Sequence, residues 1–155
     1  MHKETLEALI AAVQAVLNVQ AFMVAEPMTI DLMEAPGESC LRATIRYSGV
    51  ADGGMALVFP VSLAAELAAN MLGVQEDESD DRSDAADALM ELLNIACGQY
   101  LTRRYGTAPV FNLTIPQVEH LGAGEWEHCC RQADVVGLDV DFSPALVRTW
   151  STEQC

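Results

Sequence analysis

The chain has 155 residues, with 23 Asp and Glu against 8 Lys and Arg, for a formal net charge of −15. That balance repels phosphate backbones and anionic headgroups, which argues against nucleic acid or a membrane surface as a partner and leaves a protein partner open. With 51% hydrophobic residues the chain reads as globular, and its length suits a single domain, 1–155, that buries roughly two thirds of its unfolded surface.

The charged start, Met-His-Lys-Glu-Thr-Leu-Glu, has no signal-peptide apolar region, and no apolar run is long enough to span a bilayer, so a cytoplasmic location is expected. Leu6, Leu9, Ile10, Val13, Val16 and Leu17 recur at helical spacing and predict an amphipathic helix over about Lys3 to Asn18. Beyond Glu26-Pro27, Met28, Ile30 and Leu32 alternate with polar residues as a strand. Pro36-Gly37 turns the chain into a second strand, where Leu41, Ala43, Ile45 and Tyr47 alternate with Arg42, Thr44 and Arg46. Asp52-Gly53-Gly54 is expected to supply positive-φ loop positions before a third strand, Met55 to Phe59, and the three strands read as sequential and antiparallel. Pro60 stops that strand, and Ser62 is the expected cap of a helix that runs to Met71 and ends at Gly73. The acidic run Val74 to Asp81 reads as a solvated connector whose charge favours the start of the next helix.

That next helix, about Ser83 to Arg104, is the most informative stretch. Ala88, Leu89, Leu92, Leu93, Ala96 and Tyr100 cover a wide apolar arc, with Met90, Ile95, Cys97 and Leu101 beside it. What remains is a narrow stripe of Asp87, Glu91, Asn94 and Gly98, spaced i, i+4, i+7 and i+11. After Tyr105-Gly106, Phe111, Leu113 and Ile115 alternate as a strand up to Pro116, and Gly122-Ala-Gly124 makes a flexible link. A short strand is expected near His128 to Arg131, then another through Val136, Leu138, Val140 and Phe142, with Ala145 to Trp150 as an edge strand or packed tail. The order α-β-β-β-α-α-β-β, with one more strand possible, predicts an α+β fold with a largely antiparallel sheet and packed helices.

The order of elements and the stripe together resemble the CheC, CheX and FliY class of chemotaxis phosphatases, CheX most of all. The class carries an acidic residue or Ser, then Glu, Asn and a later Pro, and those positions read Asp87, Glu91, Asn94 and Pro116 here. The Tyr47-Ser48-Gly49 turn, the Met55 to Pro60 strand and the Ala-rich helix ending Met71-Leu72-Gly73 share the likeness. The resemblance implies a CheC-like fold, a homodimer, and as substrate the aspartyl phosphate of a CheY-like response regulator. It also implies that any Mg2+ sits in the partner, with no cofactor of the chain's own. In that setting Asn94 suits positioning of the attacking water, because an amide both donates and accepts without ionising. Glu91 suits pairing with a partner Lys, while Asp87 supports the dipole or extends the contact surface. Gly98 gives a partner clearance. A non-catalytic binding or scaffold module, and less strongly a flagellar switch component, are the competing readings.

Other residues carry less. Glu66 and Asn70 sit where some relatives have a second motif, but three residues separate them where two are required, and no family role passes to them. Without the resemblance, the stronger reading is the bland one, with Asn94 as a core amide bonded to a neighbouring loop and Glu91 as an ordinary solvated residue. His120, His128, Cys129 and Cys130 have metal-ligand types without metal-ligand spacing, and on a strand the adjacent cysteines diverge, so no metal site is assigned. The five cysteines, Cys40, Cys97, Cys129, Cys130 and Cys155, are odd in number and follow no disulfide framework, which makes reduced thiols the expectation, with Cys40 and Cys97 as small core residues. The open edges of the Cys40 to Tyr47 strand and of the tail are the expected dimer contacts.

Overall fold

A computed structural model describes residues 1–73 and 82–152, so the acidic connector Val74 to Asp81 lies outside the described residues. Helix α1, Lys3–Ala21, is followed by β1, Ala25–Met28, and the hairpin strands β2, Cys40–Ser48, and β3, Gly53–Pro60. Two helices come next, α2, Val61–Leu72, and α3, Arg82–Tyr105. Then come β4, Asn112–Leu113, β5, Gln117–Leu121, a short α4, Trp126–Cys130, and the hairpin of β6, Val135–Val140, with β7, Ser143–Ser151. All pairings are antiparallel, and the sheet runs β1-β6-β7-β3-β2, with β4 and β5 both on the outer side of β2. Among the described residues no helix is long and apolar enough to cross a membrane.

Alternation along the strands builds two faces. Leu41, Ala43 and Ile45 of β2, Leu57 and Phe59 of β3, and Ala145 and Val147 of β7 bury against Leu9, Val13, Leu17, Leu63, Leu67, Leu89 and Leu93 of α1, α2 and α3. On the opposite face Cys40, Val58 and Leu146 form a smaller cluster with Leu121 and with Trp126 and Cys129 of α4. Most of the hydrophobic stabilisation therefore lies on the helical side, since it scales with apolar area removed from water.

Several expectations need correction. The first strand ends at Met28, and Ile30–Leu32 is a 3₁₀ turn. It pairs with β6 instead of continuing a sequential sheet, in the register Ala25 to Val140. Gly53 and Gly54 lie within β3, outside the set of positive-φ residues. They are required by close approach: a Cβ on Gly53 would stand 2.1 Å from the Trp150 carbonyl oxygen, and one on Gly54 2.3 Å from the Trp150 ring. Ser62 does not cap α2. Glu38 does so from outside the helix, accepting from the Ser62 N–H at 2.8 Å and from the Ser62 hydroxyl at 2.7 Å. An acceptor on an orphan N–H at a helix start stabilises by about 1 kcal/mol.

The second half departs further. Of Phe111 to Ile115 only Asn112–Leu113 is strand, and Ile115 is exposed. Gly122 to Gly124 enters a 3₁₀ turn, and the residues near His128 are helical because α4 seals the second cluster with Trp126 and Cys129. Phe142 leaves the strand: Asp141 and Phe142, at φ 46° and 71°, form the two-residue turn joining β6 to β7. The tail is neither edge nor appendage, since β7 pairs β3 on one side and β6 on the other. Strand β2 is likewise interior, covered by β3 and by β4 with β5. Neither strand has the open edge expected to support a dimer.

Candidate active site

Helix α3 is gripped by α1, α2, β2 and β3. Ala88, Leu89, Leu92, Leu93, Ala96, Cys97, Tyr100 and Leu101 are all buried, and the alanines let neighbouring backbones approach. Asp87, Glu91 and Asn94 are exposed and Gly98 is half-buried, so the stripe faces outward from a helix whose apolar arc is packed against its neighbours. At 1.5 Å rise per residue, Glu91 and Asn94 stand about 4.5 Å apart along the axis and share a face.

The side chains of Glu91 and Asn94 make no hydrogen bond or ion pair with other described residues. This removes the reading of Asn94 as a core amide bonded to a loop. Asn70 is the amide so used: its Nδ2 donates to the Ala21 carbonyl oxygen at 2.9 Å, covering an orphan acceptor at the end of α1. Glu66 has an interaction of its own as well.

Gly98 lines a hollow of about 230 Å³ with Leu101, Thr102, Pro109, Phe111 and Leu113. A Cβ placed on Gly98 would meet nothing within 4 Å, so the chain's own packing does not demand glycine there. The loop after α3 adds exposed Val110 nearby in sequence. Sequence reasoning missed this wall, although Thr102, one helical turn beyond Gly98, continues the stripe and was available as a signal. Pro116 falls at the break between β4 and β5, outside the stripe.

Cys155 lies outside the described residues, and the described thiols offer little chemistry. Cys97 and Cys40 are buried, and burial pushes them up to about 12 and about 11, the nearby Glu38 adding to the rise at Cys40. Cys129 packs inside the second cluster, and burial raises its thiol too. Cys129 and Cys130 lie on a helix and not a strand, so the alternation argument against a metal does not apply to them. Among the described residues no three His, Cys, Asp or Glu side chains converge as a metal-binding group.

The sequence matches the family described as chemotaxis phosphatase CheX over residues 41–137, a span that runs from within β2 into β6 and includes the whole stripe. None of the curated proteins matches it. CheX from Desulfovibrio desulfuricans superposes with a TM-score of 0.70 at 17% identity, covering 96% of this chain and 99% of that one. CheX from Vibrio vulnificus gives 0.71 at 18% identity, with 96% and 98% covered. CheX in a CheX–CheY–BeF3–Mg2+ complex from Borrelia burgdorferi gives 0.67 at 18% identity, with 96% and 97% covered. These likenesses carry the α+β, open antiparallel fold, and the family match spans most of the chain: it belongs to the CheX family of chemotaxis phosphatases.

Proposed function

We propose that the chain accelerates hydrolysis of the aspartyl phosphate of a CheY-like response regulator by laying α3 across the regulator's active site. The observation that carries this reading is the outward pair Glu91 and Asn94, uncommitted among the described residues, on a helix whose apolar arc is buried. The Borrelia relative crystallised with CheY supports the choice of partner.

In this reading water attacks phosphorus in line with the departing aspartyl oxygen. The P–O bond to the regulator's carboxylate breaks, inorganic phosphate leaves, and the water's proton goes with it. Asn94 accepts from that water and donates to a neighbouring oxygen, holding it in the attack line, which saves orientational entropy without adding a charge. Glu91 takes the regulator's Lys in a charge-assisted hydrogen bond that sets the register of the two proteins. Asp87 extends the acidic contact, and Gly98 admits the regulator's loop beside the hollow. Mg2+ belongs to the regulator, where it offsets phosphoryl charge, and this chain brings no cofactor. A cytoplasmic location and a homodimer formed away from β2 and β7 belong to the same reading, the latter checked by sedimentation equilibrium.

The test is a time course of phosphoryl loss from response regulators of the same cell, with the wild-type chain and with Asn94→Ala. Acceleration by the wild type alone is expected. Measurable binding with unchanged decay would instead identify a non-catalytic binding module.

A further inference from the structure

The sheet face that α1, α2 and α3 leave uncovered gathers positive charge in a strongly acidic chain. Three of its eight basic residues, Arg42, Arg46 and Arg148, line one hollow of about 520 Å³ there, together with Glu119, whose carboxylate is paired with Arg42. Strand register builds it. Arg46 on β2 lies opposite Gly54 on β3, which lies opposite Trp150 on β7, and the next row reads Thr44, Ala56, Arg148. The middle strand thus contributes only Gly and Ala between the two walls, and the floor stays low.

Trp150 organises the walls. Its indole lies on Gly54, where a Cβ would come within 2.3 Å of the ring, so the indole is fixed against the sheet. The guanidinium carbons of Arg148 and Arg46 stand 4.8 Å and 5.9 Å from the ring centroid. A guanidinium held against an aromatic ring keeps in-plane N–H donors for an oxyanion. Arg148 spends Nε on the Ala133 carbonyl at 2.9 Å, and Arg42 spends its own Nε on Glu119 at 2.7 Å. Among the described residues neither Arg46 nor Arg148 has a carboxylate within ion-pair distance. Two like charges gathered on one indole repel, and an anion shared between them relieves that repulsion.

We propose that this hollow is a binding site for a small phosphorylated ligand whose phosphate bridges Arg46 and Arg148. A phosphomonoester carries roughly −1.5 to −2 charge with three acceptor oxygens, which matches two guanidinium groups, whereas a lone carboxylate balances one. The volume suits a small molecule, such sites running to about 300–1,000 Å³. Thr44 and Gln117 also line the hollow and supply further hydrogen-bonding groups.

Inorganic phosphate and adenosine monophosphate are titrated separately into the full chain, with malonate as a third arm, and read by the two tryptophan indole N–H resonances. A saturable shift of the Trp150 signal is expected with a phosphate probe, while buried Trp126 and the Asn94 amide stay in place. Arg46→Gln and Arg148→Gln are each expected to weaken binding by about tenfold or more, and Arg131→Gln to leave it unchanged. Circular dichroism confirms that the variants fold. Stronger binding of the nucleotide assigns the site to a phosphorylated metabolite, stronger binding of phosphate to the free ion, and either supports the proposal. It is overturned by the lack of a saturable shift with both phosphate probes, by binding as tight as wild type in both glutamine variants, or by malonate binding as tightly as phosphate.

Discussion

Helices α2 and α3 each carry a Glu followed by an Asn, and the two pairs do opposite things. On α2, Asn70 donates to the Ala21 carbonyl at 2.9 Å and so ties the end of α1 to its neighbour. On α3, Asn94 is exposed and unclaimed by any other described residue, and Glu91 stands beside it in the same condition. Residue type therefore does not decide the role. What decides it is whether the fold presents an orphan backbone group within reach: a helix C-terminus leaves carbonyls without donors, and an amide placed there is consumed by them. Among the described residues the outward line of α3 makes no such bond, and its amide stays uncommitted.

This contrast predicts opposite phenotypes for equivalent substitutions. The largest effect is expected at Asn94. Asn94→Ala should reduce the acceleration of regulator dephosphorylation about 100-fold or more, the usual scale for losing a group that orients the reacting atoms. Stability should hold or rise slightly, because the site is exposed and Ala is the better helix former. A melting curve alongside the kinetic trace separates the two, and retained acceleration would remove the assigned role. Glu91→Gln comes next. It keeps the size and loses the charge-assisted contact, so the cost should be about tenfold, seen mainly as a raised KM for phosphorylated regulator and reduced sensitivity to salt. A fall in kcat alone would point to chemistry at Glu91 and away from docking.

The stripe was legible in the sequence because it is a local property: once the apolar arc from Ala88 to Leu101 predicts a helix, the positions of Asp87, Glu91, Asn94 and Gly98 follow from 100° per residue. The same holds for α1, α2 and β2, each with its own periodicity, whereas β3 is buried on both faces and was marked by its bounding Gly53-Gly54 and Pro60. What was illegible depends on distant pairing. β7 lacks alternation at Ala145, Leu146 and Val147 because an apolar cluster covers each of its faces, and a short apolar run does not reveal that it is a central strand. Five residues of α4 are too few to show a helical period. The partnership of β1 with β6 joins residues more than a hundred positions apart, and nothing local announces it. The arginine hollow fell into the same gap. Arg42, Thr44 and Arg46 read as an ordinary wet face until β7 brings Arg148 and Trp150 alongside.

Gly98 distinguishes docking from folding within α3. With no atom of the chain within 4 Å of a Cβ there, Gly98→Ala should stabilise the helix by about 0.5–1 kcal/mol, a gain visible as a raised Tm. The added methyl group narrows the hollow walled by Thr102 and Phe111, so a few-fold loss of dephosphorylation is expected from a more stable protein. Gly98→Leu should lower activity further. An activity that is insensitive to both would detach the hollow from the partner surface.

Asn70 completes the contrast with the smallest expected effect, and Asn70→Asp is its cleanest form. The substitution preserves shape but turns a donor into an acceptor-only carboxylate facing the Ala21 carbonyl, at the negative end of α1. Losing the hydrogen bond and opposing two oxygens should cost about 1–2 kcal/mol, lowering Tm by roughly 2–8 °C, with dephosphorylation per folded molecule unchanged. The matching substitution on the other helix, Asn94→Asp, should leave Tm nearly unaltered and depress the rate, since a carboxylate beside the phosphoryl group repels it and has no N–H to donate to the neighbouring oxygen. If Asn70→Asp instead slowed dephosphorylation without destabilising the chain, α2 would have to be counted as a second catalytic helix despite its wider spacing. The 2.9 Å bond to Ala21 argues against that, because an amide already donating to a backbone carbonyl cannot turn toward a partner without leaving that carbonyl bare.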